Sequence, residues 1–245
     1  MRALIHKLGL LAVTGLAATL VACGGNDDTY LDVKGVAATG LAISGGAVSV
    51  QCVSGTGTAT TAANGTYAVT VVNGEGPCLV TVKKDGLTLR SIAAKTETGN
   101  AVANVTQFSD AIVAGLIAAK GVATAEALFT NAASTPTNDQ LKSAQTAVIS
   151  KINDALLAAG KPVLALTTDL LGKADFVAAT PSTPSSDPLD KALDDLVPTG
   201  STALPLALVN SIAAAVTAVV PKGTPTGSSG TTTPTGSTGA TGGVN

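Results

Sequence analysis

Ala47-Val48-Ser49-Val50-Gln51-Cys52 decides the fold. Apolar and polar side chains alternate along it, the period-two pattern of a strand with one wet face and one dry face. Tyr67-Ala68-Val69-Thr70-Val71 and Cys78-Leu79-Val80-Thr81-Val82 repeat the pattern, and Leu87 and Leu89 flank Thr88 in the same phase. Turn chemistry separates these runs. Asn64-Gly65 is a strong tight-turn signal, and Gly74-Glu75-Gly76-Pro77 and Asp85-Gly86 read as further turns. Short half-buried strands with turns at this spacing predict a small antiparallel β-sandwich over residues 33–98.

Outward toward the carboxyl terminus the period lengthens. Phe108, Ile112, Leu116 and Ala119 recur at helical spacing, with Gly121 as a terminator, and Thr124 caps a short piece reaching Asn131. Thr137 and Gln140 form a capping-box pattern ahead of Leu141, Ala144, Val148, Ile152 and Leu156, and Gly160 and Pro162 end that helix. Asp187 precedes Pro188 as a cap, with Leu189, Leu193 and Leu196 facing inward. The apolar residues 203–220 are interrupted by Pro205, Asn210 and Ser211. They read as a core helix in preference to a membrane span. Residues 104–220 are therefore expected to be a helical region, and the whole an α+β fold. Residues 221–245 are Gly, Thr, Ser and Pro, too poor in apolar groups to offset ordering entropy, and are expected to form a flexible, disordered tail.

Outward toward the amino terminus, Arg2 and Lys7 precede an almost wholly apolar stretch, residues 8–22, that stops short of a membrane span and turns polar at Gly24-Gly25-Asn26-Asp27-Asp28. Leu20-Val21-Ala22-Cys23 resembles the lipobox of bacterial lipoproteins. The resemblance implies cleavage after residue 22, so that residues 1–22 are a signal peptide, and acylation of Cys23. Two or more acyl chains on Cys23 would hold the protein stably on a membrane. Gly24 resembles the pattern that sorts such proteins to the outer membrane, facing either the periplasm or the exterior. Residues 23–32 read as a polar tether reaching at most ~35 Å.

Gly45-Gly46-Ala47-Val48-Ser49-Val50, Ala63-Asn64-Gly65-Thr66-Tyr67-Ala68-Val69 and Pro77-Cys78-Leu79-Val80-Thr81-Val82 together resemble carboxypeptidase-regulatory-like, transthyretin-like domains. The match covers about a quarter of the chain. It implies a small accessory β-sandwich, usually non-catalytic; other immunoglobulin-like folds share the pattern.

Composition bounds the chemistry. The formal net charge of −2 becomes more negative once Arg2 and Lys7 leave with the leader, so no basic patch awaits nucleic acid. The single histidine, His6, lies in the leader. A mature chain without imidazole lacks Ser-His-Asp and Cys-His machinery and histidine-bound metals. With Cys23 acylated, Cys52 and Cys78 remain as a pair in an oxidising compartment, both in phase with inward valines. A disulfide between them would contribute roughly 3.5 kcal/mol on the chain-entropy account. The alternative, a redox or metal pair, has neither CxxC spacing nor further ligands. Trp is absent and aromatics are 2% of the chain, which disfavours stacked-ring platforms for sugars or bases.

Other motifs fall short. Ala42-Ile43-Ser44-Gly45-Gly46 lacks the first glycine of a nucleophile elbow, and Thr81-Val82-Lys83-Lys84 is the nearest approach to S-x-x-K. Gly55-Thr56-Gly57 lacks the third glycine of a dinucleotide fingerprint. Glu75, Glu97 and Glu126 show no pairing. Asp187, Asp190, Asp194 and Asp195 share much of one helical face, where a metal or a general acid could sit. The preferred reading is a solvated face opposite the leucines. The expected function is a lipid-anchored envelope protein, a non-catalytic binding or structural module without cofactor or metal, engaging a protein or cell-wall partner. The alternative is a small-ligand binder or carboxylate-dependent hydrolase with a site between the β and helical parts.

Overall fold

Alternation produces strands where it was strongest, and the computed structural model, which describes residues 29–198 and 201–222, arranges them in two sheets. The expected signal peptide (residues 1–22), Cys23, residues 24–28 of the expected tether and the expected tail from 223 onward lie outside the described residues. The strands are β1 (Tyr30–Val36), β2 (Ala47–Ser54), β3 (Thr56–Thr60), β4 (Thr66–Val72), β5 (Glu75–Lys84), β6 (Leu87–Ala93) and β7 (Asn100–Val102). One sheet has the order β4-β1-β7 and the other β3-β2-β5-β6. All pairings are antiparallel except β1 with β7, which is parallel, with Val33 opposite Ala101. Four helices follow: α1 (Gln107–Lys120), α2 (Asn138–Ala158), α3 (Pro188–Leu196) and α4 (Leu206–Val219), with a single 3-10 turn at Glu126–Phe129. The class is α+β.

Val33, Tyr67, Val69 and Val71 from the first sheet and Val48, Val50, Val80 and Val82 from the second belong to one hydrophobic cluster. Cys52 and Cys78 lie directly opposite each other on β2 and β5 and form a disulfide inside that cluster. Tyr67 donates its buried hydroxyl to the Ala103 carbonyl, and burial pushes its pKa upward. β1 approaches that carbonyl so closely that a methyl on Gly35 would lie 1.9 Å from the oxygen, so only glycine fits.

The helices pack on the outer face of the four-stranded sheet. Leu79 of β5 and Ile92 of β6 belong to the same cluster as Phe108, Ile112, Leu141, Ile152 and Leu193. Leu79 and Thr81 are thus buried, as are Cys78, Val80 and Val82 on the opposite side of the strand. The half-buried pattern expected of β5 is corrected accordingly: the helical layer covers its second face. At α1, the Thr106 hydroxyl accepts from Ser109 N–H and Gly121 (φ 68°) closes the end. Thr137 and Gln140 cap α2 reciprocally, and Asp187 with Pro188 opens α3. The last apolar stretch is α4, laid against α1 where Gly115 admits Val216; no helix among the described residues is long and apolar enough to cross a membrane.

Three boundaries differ from the sequence reading. β1 begins at Tyr30, inside the expected tether, because Leu31 already inserts into the core. β7 lies at 100–102, past the expected end of the β part. The turn after β4 is Asn73-Gly74, and Glu75, Gly76 and Pro77 belong to β5, where a register shift at Cys52 and Ser54 accommodates them. Residues 159–187 carry no helix, in keeping with the helix end read at Gly160 and Pro162 and the helix start read at Pro188; side chains satisfy much of this backbone. Asn153 bonds both the Leu164 N–H (2.8 Å) and its carbonyl (2.9 Å).

Candidate functional site

Asp187, Asp190, Asp194 and Asp195 sit at the start and along α3, and the fold gives each a different task. Asp187 is buried. Its Oδ1 accepts from Leu189 N–H at 2.8 Å, capping the helix, while Oδ2 accepts from Lys173 Nζ at 2.8 Å. Asp190, only 1% exposed, accepts from the Ala179 N–H through Oδ2 at 3.1 Å, and its Oδ1 finds no hydrogen-bond partner. Burial, with the Asp194 and Asp187 charges adding to it, pushes its pKa up to about 6 against the opposing pull of the Ala179 N–H. Asp194 is exposed and its Oδ1 lies beside Gly40; its pKa is raised by partial burial and by Asp195. Asp195 pairs with Lys161 at 2.6 Å.

The solvated face expected for these acids is therefore corrected for Asp187 and Asp190. Residues 177–185, strapped across α3, exclude water from them. Ala179 takes part twice, giving its N–H to Asp190 and its carbonyl to Ala42 N–H at 2.8 Å, in a bridge between Leu41 and Ala179. The acids do not converge. Among the described residues no group of three or more His, Cys, Asp or Glu is placed to hold a metal.

Two sizeable cavities lie at opposite ends of the four-stranded sheet. The larger, about 780 Å³, is bounded by Leu41, Ile43 and Ser44, by the β5–β6 hairpin with Lys84 and Leu87, and by Pro181 from the strap. The smaller, about 530 Å³, lies among Val53, Pro77, Phe129 and Asn131, with the Glu75–Lys95 ion pair (2.9 Å) at its margin. Each is lined by one carboxylate, Asp85 in the first and Glu75 in the second. Neither has the paired acids that hydrolysis by two carboxylates needs. Ser44 gives its carbonyl to Lys84 Nζ, and Thr61 gives its hydroxyl hydrogen to the Ile43 carbonyl, so this loop is tied down by main-chain contacts.

No known family, curated protein or solved structure matches this chain.

Three polar residues that join the β and helical parts, Asn104, Arg90 and Asp110, escaped the sequence reading. Asn104, 1% exposed, accepts from Val36 N–H at 3.1 Å and donates to the Lys173 carbonyl at 2.8 Å. Arg90 of β6 meets Asp110 of α1 at 2.8 Å. Asn104 belongs to neither the alternating nor the helical pattern, so periodicity does not single it out. The signal available was its position between a strand and a capped helix, where a buried amide commonly bridges layers.

Proposed function

We propose that the protein is a lipid-anchored component of a bacterial envelope, held on the outer membrane by acyl chains on Cys23, whose β part is a non-catalytic binding or structural module. The observation that carries the reading is Leu20-Val21-Ala22-Cys23 behind an apolar leader. The two-sheet arrangement with one shared interior and a buried Cys52–Cys78 bridge supports a sandwich of the carboxypeptidase-regulatory-like kind and an oxidising compartment. Because the first strand starts at Tyr30, seven residues follow from Cys23 to the folded body, a reach of at most ~25 Å. The module stands close to the bilayer, within range of a neighbouring envelope protein or the cell wall.

Fractionation tests this directly. Wild-type protein is expected in the membrane fraction with an acylated amino terminus by intact mass, and Cys23→Ser protein is expected folded but released. Unmodified wild-type protein in the soluble fraction refutes the anchor.

The cavity of about 780 Å³ at the junction of the β and helical parts favours one second reading, a small-ligand binder. Native mass spectrometry of protein isolated from its own host would then show a bound adduct, lost on substitution of Leu41 by Trp. A bare mass in both removes this reading.

A further inference from the structure

The outward face of the three-stranded sheet is polar or small for most of its length. On β1 it carries Asp32 and Lys34, and on β4 it carries Thr66, Ala68 and Thr70. At the last rung it changes. Tyr30 and Val72 lie directly opposite each other there, 57% and 50% exposed, while their neighbours Leu31 and Val71 point into the core. The β2–β3 hairpin leans against the same end: the space beside Gly55 is filled by Val71 Cγ1 and the Val72 carbonyl. That hairpin brings a third exposed apolar side chain, Val53, to this end, and the turns between these residues, Ser54-Gly55 and Asn73-Gly74, carry no charge.

This is also the end from which the amino-terminal segment departs. Thr29 accepts from Asn73 N–H at 2.7 Å, just before Tyr30. We propose that this end is a bilayer-contacting surface, with Tyr30 and Val72 seated at the boundary between headgroups and acyl chains. The inference rests on acylation of Cys23, which limits this end to ~25 Å from the membrane. A tyrosine ring, apolar in its body and hydroxylated at its tip, suits that boundary. The anchor then sets not only the distance of the module but its orientation, with the β5–β6 hairpin and the larger cavity pointing away from the lipid.

The chain supplies its own reporter. It has two tyrosines and no tryptophan, and Tyr67 is buried. Mature acylated protein is reconstituted into phosphatidylethanolamine–phosphatidylglycerol vesicles with and without brominated acyl chains. Bromine is expected to quench the tyrosine emission, and the quenching is expected to be lost in Tyr30→Ser, whose remaining emission comes from Tyr67. Val72→Asp is expected to reduce quenching of Tyr30 while the protein stays on the vesicles. Vesicle-bound protein with unquenched Tyr30 overturns the proposed orientation and leaves the anchor standing. So does crosslinking of Tyr30 to a second copy or another protein in place of lipid. Protein whose mass shows no acyl chain overturns the anchor and the inference together.

Discussion

Folding withdraws the Asp190 carboxylate from water without giving its Oδ1 a donor, and leaves the Asp194 and Asp187 charges near enough to repel it. The charge is therefore unwelcome in the folded state. Below the unfolded pKa of 3.8 both states are neutral and the group has no effect. As pH rises toward about 6 the unfolded chain gives up the proton while the folded chain keeps it, so stability declines across that window. Above it the loss is complete, on the order of 2–3 kcal/mol. Asp190→Asn is expected to raise stability by about 1–2 kcal/mol at neutral pH and to flatten the decline. Thermal melts of both proteins between mild acid and neutrality measure this; parallel curves would show that the carboxylate is not kept from water. Periodicity puts most of the four acids on one face of a helix, but spacing within one helix cannot reveal a strap arriving from residues 177–185. The cysteines were legible for the converse reason. Their neighbours Val50 and Val80 share their phase, so local alternation alone aimed both thiols inward.

At the scale of elements, caps and alternation carried the reading. Thr137 with Gln140, Asp187 with Pro188, and Gly121 mark helix ends through chemistry contained within a few residues. β3 was invisible because its sequence, Thr-Gly-Thr-Ala-Thr, has no large apolar residue; its half-buried face is made by Gly57 approaching Val69. β7 was invisible because three residues hold no period. The α1–α4 contact depends on a missing side chain. A methyl on Gly115 would come within 2.7 Å of Val216 Cβ. Gly115→Ala is expected to lose about 1–3 kcal/mol through overpacking, and Val216→Ala in the same protein to recover part of it. Urea titrations of the two single variants and the double variant measure the coupling; strict additivity would mean the helices do not meet there. The Cys52–Cys78 bridge closes a sequence separation of 26 residues, so replacing both by Ala is expected to cost about 3 kcal/mol or more. Denaturation of the double variant beside the oxidised parent checks the value.

At the scale of the whole molecule, the sequence left undecided whether the helices form a body of their own, because that depends on the outer side of β5 and β6. Leu79 reads as the polar-side partner in an alternating run, yet it is 2% exposed and belongs to the helical cluster. The Asn104 amide and the Arg90–Asp110 pair fasten the same boundary. One cooperative transition is the expected consequence. Tyr67 emission, which reports the β interior, and far-ultraviolet dichroism, dominated by the helices, should yield coincident melts. Asn104→Ala should lower both together by removing a buried bridge, with a loss of about 1–3 kcal/mol. Two separated transitions would show the parts to be independent.

From Pro77 to Val82, β5 has water on neither side, and that has a bearing on how the chain reaches its finished form. A strand that serves as a party wall is incomplete until its second tenant arrives, and here that tenant is the helical layer, whose residues begin only after the seventh strand. Material cut short after the seventh strand would present Leu79 and Ile92 as a bare greasy panel. Premature termination should yield clumped precipitate rather than a usable half-protein, because the strands are not safe from their neighbours until the helices are in place.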